Sequence, residues 1–146
     1  MIRLHTHRFG SIDRTEDAIL RFPGGIFGFE LSRRWLLLGD RAHGSLYWLQ
    51  SVDQADLSLS VVDPREFVSG YRLSLSRAQL DQVWSDQEPL VVLSVLTQVA
   101  DQLVLNLRKP IVINPALGSG RQVVALDDQP IQYELPAQVG LSKKSA

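Results

Sequence analysis

At 146 residues, with 45% apolar and 21% charged residues, the chain suits one soluble globular domain and leaves no room for a second core. It has no cysteine, which excludes disulfides, thiolate catalysis and zinc-thiolate sites together. A formal net charge of −1 argues against a non-specific nucleic-acid binder, and no apolar run nears the roughly 18 residues of a membrane span.

The charge is unevenly spread. Residues 1–41 carry seven basic and five acidic residues, 42–105 three and eight, and 106–146 five and three. An acidic middle suits a basic partner protein and repels phosphate, although scattered surface carboxylates produce the same count. The N-terminal Met1-Ile-Arg-Leu-His-Thr-His7 has no apolar h-region and no small-residue cleavage site, so a cytoplasmic location is expected.

In chain order, Ile2, Leu4 and Thr6 alternate with Arg3, His5 and His7, the period of a strand with one wet face. His5 and His7 then share that face. Two imidazoles so placed can chelate a metal, but a tetrahedral site needs more ligands and His43 lies in a predicted turn. Exposed strand histidines are the expectation, with no metal and no cofactor. Gly10-Ser11 reads as a turn, followed by short strands at Ile12 and Ala18-Ile-Leu-Arg-Phe22.

Phe22-Pro-Gly-Gly-Ile-Phe-Gly-Phe-Glu30 fits no regular element. Pro23 withholds a donor, Gly24, Gly25 and Gly28 permit positive φ, and the four large apolar side chains nevertheless favour burial. The segment is a loop pressed onto a core. It either closes one end of a barrel, with Gly28 allowing two backbones to approach, or presents a contact surface.

Trp35-Leu-Leu-Leu38 is a buried strand, and Tyr47–Val52 and Leu57–Val62 are strands joined by the acidic turn Asp53-Gln-Ala-Asp56. A water-filled turn cannot raise a carboxyl pKa, so Asp53 and Asp56 are turn residues and not a catalytic pair. Asp63-Pro64 ends the second strand. Ser76 to Trp84 is the one stretch that reads as a helix, with Ser76 as N-cap and Leu80, Val83 and Trp84 on a core-facing stripe. Further strands follow at Pro89–Leu96, from Leu103 to Asn114 with a break at Pro110, and at Arg121–Leu126. Asn106 and Asn114 tie loops down, and Gly118-Ser-Gly120-Arg121 is a hairpin turn without the lysine and helix of a phosphate loop. Residues 137–146 lose periodicity and read as a weakly ordered tail.

The motifs Phe22-Pro-Gly-Gly-Ile-Phe-Gly-Phe-Glu30, Trp48-Leu-Gln-Ser51, Val61-Val-Asp-Pro64, Asn106-Leu-Arg-Lys-Pro-Ile-Val-Ile-Asn114 and Gly120-Arg-Gln-Val-Val124 stand in the order and spacing of the flagellar assembly factor FliW family, which this chain resembles. The family usually has a proline where Phe27 stands, and the turn before Asn106 is shorter than in typical members. The resemblance implies a mainly β, small single-domain, barrel-like fold over residues 1–136, with one short helix and no enzymatic activity. It also implies a cytoplasmic protein that binds flagellin and, when released, binds the translational repressor CsrA away from its RNA site, relieving repression of flagellin mRNA. Direct nucleic-acid binding and membrane binding are not expected. Phe27, Phe29, Glu30 and Arg33 are expected to form one contact surface, and Glu66 and Arg72 another. An enzyme built from His5, His7 and the carboxylates of Asp53, Asp56, Asp127 or Asp128 is the alternative, but these residues form no recognised nucleophile, metal or phosphate motif.

Overall fold

The computed structural model describes residues 1–81, 83–84 and 89–137. The expected tail, from residue 138 onward, lies outside the described residues. The chain opens with an antiparallel hairpin of β1 (Ile2–Thr6) and β2 (Gly10–Arg14). Its turn is residues 7–9, not Gly10-Ser11, because Thr6 closes it. Thr6 Oγ1 accepts the Phe9 N–H at 2.8 Å and donates to the Gly10 carbonyl at 2.8 Å, and Gly10 opens β2 with φ 68°. His7 therefore sits in the turn and shares no strand face with His5.

The remaining strands are β3 (Leu20–Arg21), β4 (Arg34–Gly39), β5 (Tyr47–Ser51), β6 (Ser58–Val62), β7 (Val91–Val99), β8 (Gln102–Leu105), β9 (Ile111–Asn114), β10 (Ser119–Gln122) and β11 (Tyr133–Glu134). They are bonded in the order β11-β8-β7-β6-β5-β4-β3-β10-β9, and β9 also pairs with β7 through Ile111–Ile113 against Val91–Leu93. That last pairing closes β3, β4, β5, β6, β7, β9 and β10 into a barrel. The nine-residue β7 makes closure possible by meeting β9 at its start, β6 at Ser94 and Val95, and β8 from Leu96 onward. β7 thus runs past Leu96 to Val99, and β10 spans Ser119–Gln122, so the turn before it is residues 115–118 and not 118–121, and the strand expected to reach Leu126 stops at Gln122.

Period-two alternation sorts the strands' side chains between two cores. Leu20, Trp35, Leu49, Val61, Leu93, Ile111 and Ile113 point to one side, where Phe22 and Ile26 join them in the barrel interior. Leu36, Leu38, Trp48, Val62 and Leu96 point outward. That outer layer is covered by Ile2, Leu4, Phe9 and Ile12 of the first hairpin and by Phe67, Val68 and Tyr71 of the connection after Pro64. Both faces of β4 are thus dry, which is why Trp35-Leu-Leu-Leu38 carries no polar residue.

The helix α1 is only Arg77–Leu80, with Ser76 Oγ accepting the Gln79 N–H at 3.3 Å. It ends too early to carry the predicted stripe onward. Val83 is fully buried against Val112 and Val123, whereas Trp84, expected in the core, is 52% exposed. Residue 82 and residues 85–88 lie outside the described residues.

The polar motif residues prove to be fasteners. Buried Asn114 donates from Nδ2 to the Val83 carbonyl at 2.9 Å and accepts the N–H groups of Ala116 and Leu117 at Oδ1, at 3.1 and 3.3 Å. Arg121 donates to the carbonyls of Ala78 and Gln79, at 3.1 and 3.0 Å, tying α1 to β10. Asp63 caps the 3-10 turn Pro64–Glu66 by accepting the Arg65 N–H at 2.9 Å, and Pro64 is buried beneath it.

Candidate partner-binding face at the barrel mouth

The loop after β3 divides into an anchored part and a presented part. Phe22 is fully buried and lies over Gly120, where an added Cβ would fall 2.3 Å from its Cζ. Two motifs distant in sequence are therefore one packing contact, and only glycine fits at position 120. Ile26 follows Phe22 into the interior, while Phe27 and Phe29 stay 51% and 38% exposed. Gly25 and Gly28 turn the chain with φ 72° and 88°. Gly28 is required for that dihedral and not for a close approach, since nothing lies within 4 Å of its missing Cβ. The close approaches are at Gly25, whose Cβ would sit 3.0 Å from Glu30 Cα, and at Gly120. Gly24 is exposed and has no positive φ.

Side chains from three other places hold the presented part still. Gln122 accepts the Phe27 N–H at 2.8 Å and donates to the Lys109 carbonyl at 2.9 Å. Asn106 Oδ1 accepts the Lys109 N–H at 3.0 Å, which fixes the turn before Pro110, itself buried. The Lys109 ammonium then lies 4.7 Å from the centroid of the Phe27 ring, a cation–π contact. Arg33 donates to the Glu30 carbonyl at 2.7 Å and also to the Pro23 carbonyl, so its guanidinium braces the loop from behind. Glu30 accepts the Gly28 N–H at 3.0 Å, and that hydrogen bond, with the Glu30 N–H and Arg33 assisting, holds its carboxyl below the ordinary range.

Asp53 secures the base of the loop. It accepts both Arg33 and Arg34 N–H groups at 3.3 Å and the Arg34 guanidinium at 2.7 Å. Desolvation pushes this carboxyl up, but the hydrogen bonds from Arg34 and Arg33 outweigh it and leave the pKa lowered. In Trp48-Leu-Gln-Ser51, Ser51 bonds to Ser32 and accepts the Asp53 and Gln54 N–H groups, so this motif builds the Asp53–Asp56 turn.

The result is a depression of about 250 Å³ at the barrel mouth. Ile26, Leu59 and Val95 floor it, and Phe27, Phe29, Lys109, Gln122 and Ile131 stand around it. Such a surface is apolar at its centre and carries Phe27, Phe29 and Ile131 beside Lys109 and Gln122 at its rim, a composition that suits a protein partner. Of the residues expected to share this face, Phe27 and Phe29 line the depression, while Glu30 and Arg33 bond within the loop and support it. Glu66 and Arg72 are exposed on a different cover, the connection whose Phe67, Val68 and Tyr71 seal the outer layer. Arg72 also accepts at its carbonyl from Gln129 at 2.9 Å.

Lys109 and Gln122 were not singled out from the sequence. Both lie inside motifs that were, but Gln122 is 95 residues from Phe27 and only the barrel closure makes them neighbours. Of the alternative enzyme's residues only His7 and Asp56 line a common depression, open to solvent beside Arg8 and Ser58. His5 shares a 2.7 Å hydrogen bond with Ser11, and among the described residues no group of three or more histidine, aspartate or glutamate side chains is placed to hold a metal ion.

The chain is a small closed β-barrel with two exposed phenylalanines at a braced mouth. The FliW protein family model matches residues 3–136, and the chain belongs to that family. A flagellar assembly factor FliW of Natranaerobius thermophilus is 33% identical over 127 residues, covering 84% of each chain. One from Lachnoclostridium phytofermentans is 36% identical, covering 84% of this chain and 82% of its own length. A crystal structure of the flagellar assembly factor FliW superposes with a TM-score of 0.86 at 27% identity, covering 94% of this chain and all of the other. Among the described residues no helix is long and apolar enough to cross a membrane.

Proposed function

We propose that this chain acts without catalysis, in the cytoplasm, as a flagellar assembly factor that alternates between two protein partners. It binds flagellin; when flagellin is exported, the freed factor binds CsrA away from its RNA site and relieves repression of flagellin mRNA. It contacts neither nucleic acid nor membrane directly. The observation that carries this reading is the braced mouth, in a chain whose family match spans nearly the whole fold. The exposed parts of the Phe27 and Phe29 rings await cover, and burying each stabilises a complex by about 1 kcal/mol. Glu66 and Arg72, on the outer cover, supply the second contact surface. With the two partners on separate faces, the switch requires that binding one lowers the affinity for the other, and its sharpness is then set by both affinities and the partner concentrations.

The test is competitive. Purified flagellin titrated into a preformed complex of the chain with CsrA is expected to release CsrA stoichiometrically. Failure of the chain to bind either partner in calorimetry contradicts the proposal.

A further inference from the structure

A second depression, of about 340 Å³, lies between the first hairpin and the turn after β4, and nothing in the proposed switch uses it. Its floor is apolar: Phe9 and Ile12 from the hairpin and Leu38 from β4. Around the floor stand Arg8, Arg14 and Arg41, with Asp40 as the one carboxylate. Ile12 and Arg14 are two apart on β2, so the pleat turns both to the same side.

The charges are not balanced within the cleft. Asp40 accepts the Trp48 indole N–H and the N–H groups of Ala42 and His43, each at 3.0 Å, which fills three of its roughly four acceptor sites, and its single charge is outnumbered by the three guanidinium groups. Among the described residues Arg8, Arg14 and Arg41 form no ion pair, although Arg14 donates one N–H to the Asp13 carbonyl at 2.8 Å; the pairs present are Arg3–Asp13, Arg34–Asp53, Arg65–Asp63 and Arg108–Asp128. Arg8 is pre-positioned, its guanidinium carbon 4.0 Å from the Trp48 ring centroid and its Nε donating to Ser58 Oγ at 3.0 Å. A stacked guanidinium keeps its outer N–H edge for a carboxylate, which it grips bidentately.

We infer that this cleft is a docking site for an acidic peptide segment of a partner protein, one that sets a single apolar side chain on the Phe9, Ile12 and Leu38 floor between carboxylates held by Arg8, Arg14 and Arg41. Charge complementarity selects the acidic partner, since three guanidinium groups face one committed carboxylate in a chain of net charge −1. The apolar floor selects a peptide over a free anion, which would leave it wet. A nucleic acid needs an open aromatic face on which bases stack, and Trp48 is only 2% exposed.

The experiment uses the whole chain and calorimetry with a capped hexapeptide of glutamate and aspartate around one leucine. It is expected to bind, to bind at least tenfold more weakly when glycine replaces the leucine, and to weaken as salt rises. Its lysine counterpart should not bind. Arg14→Glu combined with Arg41→Glu is expected to cost at least tenfold in affinity with the melting temperature unchanged. If that double variant does not fold, Arg41→Gln alone should cost about threefold. No heat from the acidic peptide, unchanged affinity in the folded variant, or equal affinity for inorganic phosphate or a short RNA would overturn the inference.

Discussion

Phe22 and Phe27 are the same residue type five positions apart in one loop, yet one ring is fully buried and the other is half in water. Phe22 is held by the barrel: it packs on Gly120 among Trp35, Leu49 and Val61. Phe27 is held only at its backbone, by Gln122, with Lys109 at its ring face. An anchored and an exposed aromatic are therefore separated within nine residues, by which side of a glycine-rich turn each side chain leaves.

Substitutions can break that contrast. Phe22→Ala empties the centre of the interior and should cost about 3–5 kcal/mol, read by denaturant unfolding. Gly120→Ala drives a methyl into the same ring and should cost about 1–3 kcal/mol. Combining Gly120→Ala with Phe22→Leu should cost less than the two effects added, because both changes act on one contact. Additive losses would separate the two motifs again.

On the presented side the order of effects reverses. Phe27→Ala should change unfolding stability by no more than about 0.5 kcal/mol, as exposed positions do. The smallest effect is expected far from the loop, at Tyr71, whose phenol has no hydrogen-bond partner among the described residues and is pushed up to about 12 by burial, with Asp127 and Asp63 adding to it. Tyr71→Phe should be nearly neutral at pH 7, because it removes a hydroxyl that has no partner to lose. A folded-state pKa raised above the unfolded value near 10 gives a contribution that is intact below that value and lost as pH rises toward 12. The wild type should therefore lose stability relative to Tyr71→Phe across that window, measured by paired melts.

Much of the barrel is legible in the sequence because its signals are local. Alternation marks β1, β-prone runs on either side of an acidic turn mark β5 and β6, the all-apolar run of β4 announces a strand covered on both faces, and the conflict of glycine with phenylalanine marks the loop. The asparagines read as loop fasteners are fasteners. What was not legible depends on contacts across the chain. Thr6 moved the first turn by closing it with its side chain, the short α1 released Trp84 from its stripe, and the two-residue β11 is too brief to show a period. The mouth was half legible for the same reason: its phenylalanines announce themselves, while Lys109 and Gln122 join them only through β9 pairing with β10 and the closure of β9 on β7.

The separation of anchor from contact is tested most directly by calorimetry of purified flagellin against the wild type and Phe27→Ala, each with its own thermal melt. The account predicts at least a tenfold loss of affinity, about 1.4 kcal/mol, with superimposable melts. Unchanged affinity, or a lowered melting temperature with normal affinity per folded molecule, would contradict it.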